Sequence, residues 1–291
     1  MEIAFHIGAN CTDDELLLKS MLKNAESFAS AGVAVPAPGN YRRLIRETIQ
    51  NLNGSAPAAD TRDILLDAII EGTPPKRLVM SNHSFICIPN RIFEEGQFYI
   101  QLESKIRGFL QLFPQDDVHV YMGMRDPASF VPAGFRESKQ DNFPEYLSGI
   151  LLDRIRWADV VARIRQCAPQ VKLTVWCNED TPLIWPELIR ALAGVDNNTR
   201  IVGGFDLLQT IMHREGLQRL LAYLKAHPPR TEGRKRDIIS KFLERYAIAE
   251  ALEEEIELPG WTPNVMERLS EIYDADVAAI KRMPGVNFIA P

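Results

Sequence analysis

Four short segments of this sequence carry residue types that can bind or act on an anion. They are residues 8–15, 81–85, 125–129 and 177–181, and each follows an apolar run typical of a β-strand. In an open parallel sheet, ligands bind beyond the carboxyl ends of the strands, where such segments meet. A Gly-containing turn before a helix can hold phosphate through backbone N–H groups, and an arginine fork matches phosphate oxygens. An imidazole can accept a proton near pH 7.

The first of these segments reads HIGANCTDDE over residues 6–15. It has no GxxxxGK[ST] pattern and therefore no Walker A motif, which argues against an NTP-hydrolysing enzyme. Three acidic residues at positions 13–15 suit a helix N-terminus but oppose an incoming phosphate, since two like charges ~5 Å apart repel by about 3 kcal/mol at an effective dielectric near 20. Thr12 and Glu15 predict a capping box for a helix over 13–31 that ends at Gly32. An ordinary capped helix and a phosphate-binding turn both fit this pattern.

The elements that must position these segments alternate between strand and helix. This alternation predicts an α/β fold of three layers with a central parallel sheet, because parallel neighbours need helical crossovers. We expect a single domain over residues 1–291, wholly helical from about residue 206. Apolar runs predict strands at 3–7, 77–81, 118–124 and 171–176, and helical spacing predicts helices at 13–31, 41–52, 61–71, 94–112, 145–166, 207–226, 236–255 and 263–282.

Composition and charge restrict the function classes. The 291 residues are 46% hydrophobic and 25% charged, with a net charge of -6, so no basic footprint for nucleic acid is visible. The four cysteines form no CxxC pair, which argues against a zinc site and a disulfide framework, and no metal is expected. No apolar stretch approaches the length of a membrane span. We therefore expect a cytoplasmic protein with no membrane or nucleic-acid partner.

The start of the chain resembles the bacterial sulfotransferase-like P-loop proteins, which usually read HIGxxKTGTTxLQ and continue with N, GV and P. Cys11 stands at the family's phosphate-binding lysine, Asp13 at its glycine, and Asp14 and Glu15 at its threonines. The segments LVMSNHSF at 78–85, RDP at 125–127 and LSEIYDAD at 269–276 also resemble segments of that family. The matching residues near the N-terminus are His6, Ile7, Gly8, Thr12, Leu16 or Leu17, Asn24, Gly32, Val33 and Pro36.

The resemblance implies transfer of a sulfuryl group from 3′-phosphoadenosine-5′-phosphosulfate to a hydroxyl or amine of a small-molecule or glycan acceptor. His83 would be the general base, and Arg125 would hold the 3′-phosphate. The family's partner serine falls at Ala133 here, and Ser129 would substitute for it only with a rearranged loop. A basic cluster at 230–236 could also reach that phosphate, although a solvated helix start explains it as well. The implied donor-binding turn comprises Gly8, Ala9, Asn10, Cys11 and Thr12.

Two readings of the function remain open from the sequence. In the first, the chain is a sulfotransferase. In the second, it is a non-catalytic relative that keeps the scaffold and binds another ligand or a protein. The altered turn favours the second reading, whereas His83 and Arg125 favour the first. For Arg125, pairing with Asp126 or another acid in a loop is an equal alternative.

Overall fold

The computed structural model describes residues 1–252 and 258–291. Its strands are β1 (Glu2–His6), β2 (Val33–Ala34), β3 (Arg77–Ser81), β4 (Asp117–Met124), β5 (Lys172–Cys177) and β6 (Val286–Ile289). Its helices are α1 (Leu16–Lys23), α2 (Ala25–Ser30), α3 (Pro38–Leu52), α4 (Thr61–Ile69), α5 (Leu102–Leu112), α6 (Pro127–Ser138), α7 (Phe143–Tyr146), α8 (Trp157–Cys167), α9 (Thr181–Ala193), α10 (Asp206–Ile211), α11 (Arg214–Ala226), α12 (Glu232–Tyr246), α13 (Ala249–Leu252) and α14 (Pro263–Ile280). Short 3-10 turns lie at Pro89–Arg91, Glu94–Gly96, Leu152–Arg154 and Asn178–Asp180.

The six strands form one parallel sheet in the order β2-β3-β1-β4-β5-β6. β1 is central and pairs with β3 on one side and β4 on the other. The predicted α/β fold with a parallel sheet is confirmed, and the four predicted strands lie within one residue of β1, β3, β4 and β5.

Helices cover both faces of this sheet and make the structure three-layered. Ile3 and Phe5 of β1 point into one apolar cluster, and Ala4 between them points into the other. The first cluster packs against α3, α5, α6, α8 and α14, and the second against α1 and α9. Side chains of a strand alternate between its faces, so strands buried on both faces read as continuous apolar runs.

The C-terminal part is not wholly helical, contrary to the sequence-based expectation. Helices α10, α11 and α12 form a third apolar cluster, centred on Leu208, Leu220 and Ile239. The chain then returns to the sheet, where β6 pairs with β5 and Ile289 lies in the second cluster. The end of the helix predicted over 236–255 lies outside the described residues.

Several predicted helices are interrupted. The segment 13–31 divides into α1 and α2 at Asn24, whose side-chain amide donates to the carbonyls of Ser20 and Val202. The segment 145–166 is α-helical only up to Tyr146 and again from Trp157, and the helix is broken between them where Ser148 and Gly149 adopt positive φ values of 49° and 79°. Tyr99, with φ of 52°, likewise stands before the late start of α5. A left-handed residue cannot continue a right-handed helix.

None of the helices in the described ranges has the length and apolar content needed to cross a membrane.

Candidate functional site

The turn that follows β1 is buried, and its first N–H groups donate within the protein. The Ala9 N–H donates to the Gly123 carbonyl at 2.9 Å, which extends the pairing with β4. The Asn10 N–H donates to the Tyr99 hydroxyl at 3.3 Å, and the Asn10 amide donates to the Cys87 carbonyl at 3.1 Å. These groups were candidates for holding a phosphate, but they are engaged and shielded from solvent.

Gly8 allows the turn to approach the loop after β3. Its φ is +111°, and a Cβ built on it would lie 2.9 Å from the carbonyl oxygen of His83. A side chain there would meet backbone and adopt a conformation that only glycine tolerates well. The close approach of these two loops therefore depends on glycine at position 8.

Helix α1 begins at Leu16, so the predicted capping box of Thr12 and Glu15 is wrong. The Thr12 hydroxyl donates to the Ala9 carbonyl, and Glu15, with φ of 64°, makes no side-chain cap. Asp13 instead turns back, and its carboxylate accepts the N–H of Leu17 at 2.9 Å. The positive end of the helix dipole attracts anions. Here, a carboxylate of the chain itself accepts an N–H of the first turn.

Asp13→Ala is expected to lower the free energy of unfolding by about 0.5–2 kcal/mol, the usual cost of removing a helix cap. Urea unfolding would measure the change. Asp67→Ala removes the same charge from an exposed position on α4 and is the matched control. Equal losses for the two variants would contradict the capping role of Asp13.

His83 lies at the carboxyl end of β3 and beside the turn. Its Nδ1 is 3.8 Å from Oε1 of Glu15, and its side chain is 29% exposed. The Glu15 carboxylate also accepts from Arg42, whose Nε and Nη2 donate to the Ser81 carbonyl. The predicted base is therefore reachable from solvent and lies next to a carboxylate already engaged with an arginine.

Arg125 flanks the turn from the other side, at the end of β4. Its Nη1 donates to the Cys11 carbonyl at 2.7 Å, and its Nε donates to the Ser129 hydroxyl at 2.9 Å. The Trp157 indole donates to the Arg125 carbonyl at 2.8 Å. The neighbouring Asp126 caps α6 by accepting the Ala128 N–H. The structure thus brings Arg125 and Ser129 together with the turn. The guanidinium of Arg125 is hydrogen-bonded to the backbone of the turn.

The helix after β4 continues through a proline, Pro132. This residue lies inside α6, where a proline leaves the carbonyl four residues earlier without its usual donor. That carbonyl belongs to Ala128 and accepts the Trp261 indole N–H at 3.1 Å. A side chain about 130 positions away in the sequence therefore compensates for the missing N–H.

The Cys11 thiol cannot replace the lysine charge that the resemblance expects at this position. Burial, together with the nearby Glu137 carboxylate, raises the pKa of Cys11 far above its usual range. The thiol therefore stays neutral and supplies no charge to a phosphate.

Sequence reasoning missed the contribution of Glu179 and Tyr273 to this edge. Glu179 follows β5, and its carboxylate accepts the Asp126 N–H at 2.8 Å and the Tyr273 hydroxyl at 2.9 Å. The hydroxyl of Tyr273 also contacts the Met124 carbonyl at 3.2 Å. The signal available in the sequence was the position of Glu179 directly after a strand. The hydrogen bonds of Glu179 and of Tyr273 on α14 hold the backbone of Met124 and Asp126, on either side of Arg125.

The basic cluster at 230–236 lies at the start of α12, and three of its side chains pair with acids. Arg236 pairs with Glu187, Arg234 approaches Asp237 at 3.8 Å, and Lys235 approaches Glu232 at 3.5 Å. Exposed pairs within one helix contribute little. These contacts account for the cluster as part of the helical C-terminal region.

One group of residues with metal-ligand chemistry appears in the described part of the chain, at the opposite end of the sheet. Glu2, Asp117 and His119 place ligand atoms within 4.8 Å of one another. Arg77 pairs with Glu2, and Lys172 pairs with Asp117 at 3.2 Å. The carboxylates are thus already neutralised by side-chain cations.

No protein-family model matches the chain, and a search of curated proteins finds no significant match.

Proposed function

We propose that this chain is a non-catalytic relative of the sulfotransferases that uses the α/β scaffold to bind a ligand or a partner. The observation that carries the proposal is the Asp13 carboxylate, which accepts the Leu17 N–H at the start of α1. In a phosphate-binding turn, the ligand's oxygens accept such N–H groups. A phosphosulfate approaching this helix end meets a carboxylate of the protein instead.

The rest of the turn supports the same proposal. The N–H groups of Ala9 and Asn10 donate to protein acceptors, and the Cys11 thiol is neutral. Arg125, the group with most affinity for phosphate here, binds the Cys11 carbonyl and the Ser129 hydroxyl. A donor nucleotide would have to replace these contacts as well as overcome the acidic residues at 13–15.

The second candidate function is sulfuryl transfer from 3′-phosphoadenosine-5′-phosphosulfate. It is favoured by the placement of His83 and Arg125 on the two sides of the turn. In that reaction, His83 would take the proton of an acceptor hydroxyl, and Arg125 with Ser129 would hold the 3′-phosphate.

Thermal melts with the desulfated donor, 3′-phosphoadenosine 5′-phosphate, separate the two candidates. A ligand at 100 times its dissociation constant stabilises the folded state by about 2.7 kcal/mol. We expect no shift for the wild type at millimolar nucleotide. We expect a rise in melting temperature for Cys11→Lys/Asp13→Gly/Asp14→Thr, which restores the family's residues at three positions.

A shift in the melting temperature of the wild type would contradict this expectation. A large shift of the wild-type protein that is lost in Arg125→Ala would overturn the non-catalytic proposal and favour the enzyme. Because the triple variant also removes the Asp13 cap, its melting temperature without nucleotide is its own reference.

A further inference from the structure

A cavity of about 470 Å³ opens between α3, α5 and the loop that carries His83. Its floor is apolar and includes Ile45, Phe85 and Phe109, which are at most 6% exposed. Its volume falls in the range of small-molecule sites, which combine an apolar lining with a few polar groups.

All the charged side chains that line the cavity are cations. They are Arg42, Arg46, Arg91 and Lys105, and none of the lining residues in the described part of the chain is acidic. The other ionisable group is the Cys87 thiol, and burial raises the pKa of Cys87 to about 12. The lining therefore carries positive charge without a balancing anion of its own.

Three of the four cations have partners outside the cavity. Arg42 donates to the Ser81 carbonyl and to Glu15, Arg91 pairs with Glu94, and Arg46 approaches Glu47 at 3.8 Å. These contacts hold the guanidinium groups around the mouth.

Lys105 differs from the three arginines. Its side chain is half-buried, and its ammonium makes no hydrogen bond or ion pair with the residues that the structure describes. Burial, with the charges of Arg91 and Arg46, lowers the pKa of Lys105. Taking an unpaired cation partly out of water is costly, so an anion bound in the cavity would compensate the desolvated ammonium of Lys105.

We propose that this cavity binds an organic anion with an apolar body and a phosphate or sulfate head, and that Lys105 contacts the head. The apolar floor takes the body, and the arginines at the mouth supply further attraction for the charge. The proposal deepens the proposed function, since it names a ligand class for a binding protein. None of the lining residues belongs to the turn at 8–15.

Calorimetric titration with phenyl phosphate and phenyl sulfate tests the proposal. We expect either probe to bind the wild type, with benzyl alcohol and inorganic phosphate much weaker because each lacks the head or the body. Lys105→Met keeps the unbranched shape and most of the length of the side chain but removes its charge, and it should weaken binding about tenfold or more. Lys225→Met removes the same charge from an exposed position on α11 and should leave binding unchanged.

The Lys105→Met variant is expected to fold, since it removes a half-buried cation from beside Arg91 and Arg46 and so relieves their repulsion. Its melting temperature without ligand should equal or exceed that of the wild type. Absence of binding of both anionic probes to the wild type, equal affinity in Lys105→Met, or equal binding of benzyl alcohol would overturn the proposal. A nucleotide-dependent shift that is lost in Arg125→Ala reports on the turn, whereas one that is lost in Lys105→Met reports on the cavity, so failure of one proposal is distinguishable from failure of the other.

Discussion

Trp157→Ala is expected to lower the free energy of unfolding by about 3–5 kcal/mol, the range for removing a large buried aromatic side chain. Trp157 is fully buried, and its ring lies 5.0 Å from that of Phe98 and 5.3 Å from that of Phe130. Its indole N–H also donates to the Arg125 carbonyl at 2.8 Å. The substitution leaves a cavity next to Arg125, which is hydrogen-bonded to the turn. Urea unfolding would measure the loss of unfolding free energy.

A second pair of variants separates the hydrogen bond of Trp157 from its packing. Trp157→Phe loses the N–H and part of the ring, whereas Trp185→Phe loses part of a ring whose N–H has no partner in the described structure. Both tryptophans are at most 1% exposed. Trp157→Phe should cost about 0.5–1.5 kcal/mol more than Trp185→Phe, the usual net value of a hydrogen bond. Equal costs would show that the bond to Arg125 contributes nothing.

Acidification from pH 7 to pH 5 is expected to destabilise the wild type more than His119→Phe, by about 2 kcal/mol. Burial, with the charges of Arg77 and Lys172, lowers the pKa of His119 from 6.5 to about 4. Between these two values, the unfolded chain binds the proton and the folded chain does not. The stability from neutral His119 is therefore complete above pH 6.5 and is lost as the pH falls toward 4.

Phenylalanine suits this test because the imidazole stacks against Tyr121, with ring centroids 6.5 Å apart, and its Nε2 has no hydrogen-bond partner in the described structure. Urea unfolding at a series of pH values would give the two stability curves. Their difference isolates His119 from the carboxylates that titrate in both proteins. Parallel curves between pH 7 and pH 5 would contradict the lowered pKa.

The sequence was sufficient for most of the sheet, because long strands buried on both faces appear as apolar runs. β3 agrees with its prediction at every residue. β6 was missed because only Ile289 of its four residues is buried and the strand follows a long helix. β2 has only two residues, which is too short for a periodic signal.

The carboxyl-end rule predicted that His83 and Arg125 lie at the same edge of the sheet as the turn, but it did not predict the local geometry there. The Tyr99 hydroxyl donates to the side-chain carbonyl of Asn10, 89 positions away, and the Trp261 indole donates to the Ala128 carbonyl, 133 positions away. Such contacts depend on the packed structure and leave no periodic pattern in the sequence.

The central position of β1 also affects how the protein folds. Glu2 pairs with Arg77 and with Asp117, so the two neighbours of β1 lie 75 and 115 positions further along the chain. Sheets built from such distant pairings form slowly, since large loops must close before any contact rewards them. Until then, both edges of an apolar strand stay open to intermolecular pairing, which competes with folding more strongly as protein concentration rises.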